Sequence, residues 1–89
     1  MTANELDLER QKALLLERAS AAEGRADQCL ASADAHMVAA QSRGSGHHLR
    51  LAEVYRRIAD AHQTSANAQR QAVMTIESTL MRTAQLLTV

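Results

Sequence analysis

Ser42-Arg43-Gly44-Ser45-Gly46 is the only dense run of turn-forming residues in the chain, and it falls almost at the midpoint. Gly44 suits the left-handed conformation that ends a helix, and Ser45 suits the N-cap of the next. Either side of this run the sequence holds no proline and only one further glycine, Gly24. Long uninterrupted helices are therefore permitted, and a turn-rich β fold is disfavoured. At the far left, Thr2-Ala3-Asn4-Glu5 fits a capping box, in which the Thr hydroxyl and Glu carboxylate satisfy free backbone amides. The simplest reading is a single all-α domain over residues 1–89. It comprises helix 1 over about 3–42, a turn at about 43–46 and helix 2 over about 47–87, closed as an antiparallel hairpin.

Apolar phase supports this division, using ~100° per residue for an α-helix. In the second half, Leu51, Val54, Tyr55, Ile58, His62, Ser65, Gln69, Ala72, Val73, Ile76, Leu80, Thr83 and Leu87 share one stripe. In the first half, the stripe is Leu8, Leu15, Ala19, Ala22, Ala26, Cys29, Leu30, Ala33, Met37 and Ala40. Gly24 lies on the opposite side of helix 1, and Ser20-Ala21-Ala22-Glu23 fits a second capping box; helix 1 is expected to be continuous, with a kink or break near 20–25 as the alternative. Met37 should meet Leu51, Val54, Tyr55 and Ile58 near the turn. Leu8 and Leu15 should meet Val73, Ile76, Leu80 and Leu87 near the open end. Between these clusters lies a waist of small residues on helix 1 facing His62, Ser65 and Gln69, whose polar groups need partners or water.

Bulk is scarce. The chain has 89 residues, 46% of them apolar, but 18 are alanine and the aromatic content is Tyr55 alone. Domains this small are marginal even with good cores. Leu6, Leu14, Val38, Met74 and Met81 lie off both stripes, so a solitary hairpin would leave much apolar surface in water. The expected remedy is pairing with itself or a similar helical protein, most simply as a four-helix bundle. The predicted interface comprises Leu8, Leu15, Ala19, Ala22, Ala26, Cys29, Met37, Leu51, Tyr55, Ile58, His62, Gln69, Val73, Ile76 and Leu80.

Chemistry finds little purchase. Ten basic residues balance ten acidic ones, which argues against a general nucleic-acid binder. Glu53–Arg57 and Arg56–Asp60 are spaced for pairing along helix 2, as on a solvated face. No apolar span of about 20 residues and no signal-like N-terminus is present, so a cytoplasmic, non-membrane protein is expected. A single cysteine excludes an internal disulfide. No glycine elbow surrounds a serine, and no phosphate loop occurs, so catalysis is not expected. The best metal constellation is Cys29, His36 and His62. It falls short of the four ligands that zinc normally takes, so no cofactor is expected, although a metal- or haem-binding bundle is an alternative. His36 should flank the seam, and His47 and His48 are expected to be solvent-exposed at the start of helix 2.

Two similar helices around a central glycine-containing turn resemble the small Trp-x-Gly family of bacterial type VII secretion substrates and partners. The turn here is Arg43-Gly44-Ser45-Gly46, without Trp. The sole tyrosine, Tyr55, stands five residues before Asp60, whereas the family's Tyr-x-x-x-Asp/Glu export signal follows the second helix. The resemblance implies hairpins that dimerise into four-helix bundles, with export as an alternative role.

Overall fold

The structure is a computed structural model that describes residues 2–87. Helix α1 spans Ala3–Arg43 and helix α2 spans Gly46–Leu87. They pack side by side as an antiparallel hairpin, a rod of 68 × 16 × 12 Å. Both helix ends that the sequence marked are built from local chemistry. The Thr2 hydroxyl accepts from the Glu5 amide at 3.2 Å, and the Glu5 carboxylate accepts from the Thr2 amide at 3.4 Å. Gly44 adopts φ 64°, and its amide donates to the Ala40 carbonyl at 2.8 Å. The Leu49 amide donates to the Ser45 carbonyl at 3.4 Å. Only Gly44 and Ser45 lie between the helices, so the turn is tighter than the four residues expected.

Helix α1 runs through Gly24 without a break. A Cβ added there would meet nothing within 4 Å, so this glycine faces outward and no close packing requires it. Its cost is the ordinary helix propensity penalty, which the long flanking helix absorbs.

The seam is narrower than the sequence suggested on α2. Its buried residues are Ala19, Ala22, Ala26, Ala33 and Ala40 from α1, with Ala52, Ala59, Ala66, Val73 and Ile76 from α2. Ala19, Ala26, Ala33 and Ala40 repeat every seven residues, as do Ala52, Ala59, Ala66 and Val73. A seven-residue repeat keeps one line of side chains against a partner when two helices wind around each other. Alanine at that line lets the backbones approach closely, so the seam gains contact without bulk.

The stripe read for helix 2 requires correction here. Followed at the straight-helix period and anchored on large side chains, it included Val54, Ile58 and Ser65 and passed over Ala52, Ala59 and Ala66. A straight helix drifts by ~20° per heptad from a seven-residue repeat, enough over four heptads to turn the stripe by nearly a quarter-turn and move its edge residues off the seam. In the structure Ile58 is 40% exposed and Val54 is 50% exposed, while the three alanines are buried. Leu30, placed in the first stripe, is exposed as well.

Candidate functional site

Three cross-helix contacts set the register. Lys12 lies 4.0 Å from Glu77, Arg70 pairs with Glu23, and His36 stacks on Tyr55. The residue numbers of each pair sum to about 90, as closure around Gly44–Gly46 requires. Arg70 donates to Glu23 Oε1 from Nε at 3.0 Å and from Nη2 as well. Lys12 also reaches Glu9 at 3.5 Å, so this half-buried cation in the seam has a carboxylate on each helix. On the outer face of α2, Arg57 Nη2 donates to Glu53 Oε1 at 2.6 Å, whereas Arg56 and Asp60 form no ion pair.

Of the predicted interface residues, Ala19, Ala22, Ala26, Val73 and Ile76 are buried in the hairpin seam. Leu8, Leu15, Cys29, Met37, Leu51, Tyr55, His62, Gln69 and Leu80 line its edges half-buried, and Ile58 faces solvent. The polar waist is thinner than expected, because Ser65 is exposed. Gln69 remains, and its Oε1 is buried with no hydrogen-bond partner.

The turn end holds a cluster that sequence spacing did not reveal. His36 of α1 lies between His48 and Tyr55 of α2, with ring centroids 5.2 Å and 5.5 Å away. The His36 and Tyr55 rings are nearly parallel, at 11°. Fully buried Ala52 stands between His48 and Tyr55 in sequence. His36 Nδ1 and His48 Nδ1 are 3.0 Å apart, so one donates and the other accepts. His47 tilts against His48 at 5.9 Å. Burial, followed by the charges of His36, Arg43 and His47, lowers the His48 pKa from its ordinary 6.5. The expectation of solvent-exposed histidines thus fails for His48, which the two-residue turn folds back onto α1. His36, expected to flank the seam, lies half-buried at its edge.

Neither this cluster nor any other among the described residues brings together three histidine, cysteine or acidic side chains around a point. Cys29, His36 and His62 are not assembled into such a group. Thr75, Thr79 and Thr83 donate their hydroxyls to the carbonyls one turn earlier, at 3.2, 3.0 and 3.0 Å. Beside them an open depression is lined by Met74, Thr75, Ser78, Thr79 and Arg82, all from α2. No helix among the described residues is long and apolar enough to cross a membrane.

The largest unpartnered feature is apolar. Leu6, Leu14, Leu30 and Val38 of α1, and Leu49, Val54, Ile58, Met74, Met81, Leu86 and Leu87 of α2, are each at least 40% exposed. Among the described residues, by contrast, no large side chain is fully buried. No protein-family model matches the chain, and neither a curated protein nor a solved structure matches it.

Proposed function

We propose that the chain is a non-enzymatic protein–protein interaction module. In this reading the hairpin completes its hydrophobic core by pairing with a second copy, or with a similar hairpin, in a four-helix bundle. Its surface area carries the argument. The hairpin exposes 6399 Å². A compact monomer of 9.7 kDa exposes about 5,100 Å² on the usual mass scaling. The excess, on the order of 1,000 Å², exceeds the ~800 Å² that each partner contributes to a standard interface. Scattered apolar residues are normal on a surface, but here eleven large ones are exposed while eight of the ten buried residues are alanine. An adaptor, small chaperone, inhibitor or regulatory subunit would each use such a module.

Light scattering across about 1–100 μM protein, combined with thermal melting, tests the reading. A mass of two or more chains, with a melting temperature that rises with concentration, supports it. A strict monomer with a cooperative, concentration-independent melt overturns self-pairing. A hairpin partner would then have to appear in native co-purification, with the intact-complex mass giving its stoichiometry.

Export in the manner of type VII substrates is the second reading, favoured by two helices of near-equal length, 41 and 42 residues. Partner-dependent release of the native chain into the medium distinguishes it from a module retained in the cell.

A further inference from the structure

We propose that the His36–His48 pair is a pH-sensitive clamp, tying the end of α1 to the first turns of α2 until both imidazoles are charged. The geometry carries this. The two Nδ1 atoms are 3.0 Å apart, and one proton must lie between them. Two neutral rings satisfy that requirement, as each offers one N–H and one lone pair. A single imidazolium also satisfies it, donating to the lone pair of its neutral neighbour. Two imidazolium rings do not: neither keeps a lone pair, and two like charges face each other at contact distance.

The surroundings sharpen the response. From α1 the charges acting on His48 are His36 and Arg43, and from α2 the adjacent charge is His47. All three oppose its protonation. Tyr55, the other titratable ring at the site, covers a face of His36. It gives that face an aromatic contact without an anion to hold a second charge. Arg50 lies farther round the first turn of α2, its Nη1 3.8 Å from a Cβ built on Gly46.

The sign follows from linkage. A histidine whose folded pKa is lowered is protonated more readily in the open chain, so acid favours opening. Closure is fully present above the ordinary histidine value of 6.5 and is lost as pH falls through the lowered His48 value. The turn end should therefore loosen between neutral and mildly acid pH, while the alanine seam beyond it has no such pair to lose.

Side-chain NMR of the full chain from pH 8 to pH 4.5, in the presence of a chelator, reads the clamp directly. The contact should respond to protonation in two steps, the His48 proton entering below the ordinary histidine value. The ring-shifted signals of Tyr55 should move with the second step. Amide exchange over residues 46–50, corrected for its intrinsic pH dependence, should rise about tenfold across it. In His36→Gln, His48 should titrate in one step at higher pH, and Tyr55 should lose its response. The reciprocal variant His48→Gln should likewise abolish the acid response of the Tyr55 signals and of turn-end exchange, which keeps the test decisive if one variant folds poorly. Independent single steps for both histidines in the native chain would overturn the proposal. So would Tyr55 signals and turn-end exchange that stay unchanged from pH 8 to 4.5.

Discussion

Arg70 and Glu23 join the middles of the two helices, the guanidinium grasping one carboxylate oxygen through both Nε and Nη2. The pair sits beside the alanine seam where neither helix contributes a large buried side chain. Its side chains are 45% and 38% exposed, so water and salt screen much of the attraction. Its value lies in register, because it meets only when the helices slide to the correct offset. Glu23→Gln and Arg70→Gln should each cost ~0.5–1 kcal/mol at low salt and less at high salt. Denaturant melts of both single variants and the double variant, at two salt concentrations, check this. Equal losses at both concentrations would refute an electrostatic role.

The seam predicts an inversion of the usual ranking by size. Ala22 and Ala66 are fully buried in one small cluster with Ala19, so extra methylenes there have no room. Ala22→Leu and Ala66→Leu should each cost ~1–3 kcal/mol by pushing the backbones apart. Ile76→Ala, cutting a large buried side chain, should cost ~2–4 kcal/mol. Ile58→Ala removes a side chain that is 40% exposed, so it should change the hairpin's own stability by about 0.5 kcal/mol or less. Any larger effect of Ile58→Ala should appear only at concentrations where chains associate. Melting and mass measurements on the four variants separate these cases.

What could be read from the sequence divides along a physical line. The Thr2–Glu5 cap and the Gly44 helix end depend on neighbours within four residues, so their residue types declare them. The seam of α1 was largely legible because its alanines recur in one coherent stripe, although Leu30, drawn into that stripe by its bulk, is exposed. On α2 larger side chains competed for attention, and the decisive line of Ala52, Ala59 and Ala66 was hidden by following bulk. An alanine line becomes visible only when the seven-residue repeat is sought on both helices together. His36 with His48 was illegible for another reason. Their meeting depends on a turn of only two residues, which does not follow from spacing along one helix.

The two glycines within and after α1 should respond oppositely to alanine. Gly24 is helical and outward-facing, with open space where a Cβ would go. Gly24→Ala should therefore stabilise the hairpin by ~1 kcal/mol through helix propensity and the reduced freedom of the open chain. Gly44 has open space too, but its φ of 64° is one that an L side chain resists. Gly44→Ala should cost ~1–2 kcal/mol, while Gly44→Asn should recover part of the loss. Thermal melts of the three variants suffice, and stabilisation by Gly44→Ala would show that the turn opens or rearranges in solution.

Gln69 offers the clearest separation of stability from specificity. Its Oε1 is buried beside the seam with no hydrogen-bond partner, a situation that ordinarily costs ~1–3 kcal/mol. Gln69→Leu removes the unsatisfied acceptor and adds apolar contact at similar volume. It should leave the melting temperature unchanged or raise it. A polar side chain near the middle of a helical seam also restricts which helices can lie against it, as a polar core residue fixes register in coiled coils. If chains associate, Gln69→Leu should broaden the choice of stoichiometry, seen as mixed masses where the native chain gives one. Gln69→Ala provides the control, since it removes the acceptor without adding bulk and should not raise the melting temperature as far. A large loss of stability in Gln69→Leu, together with a single unchanged mass, would mean that the amide makes a bond in solution on which the fold depends.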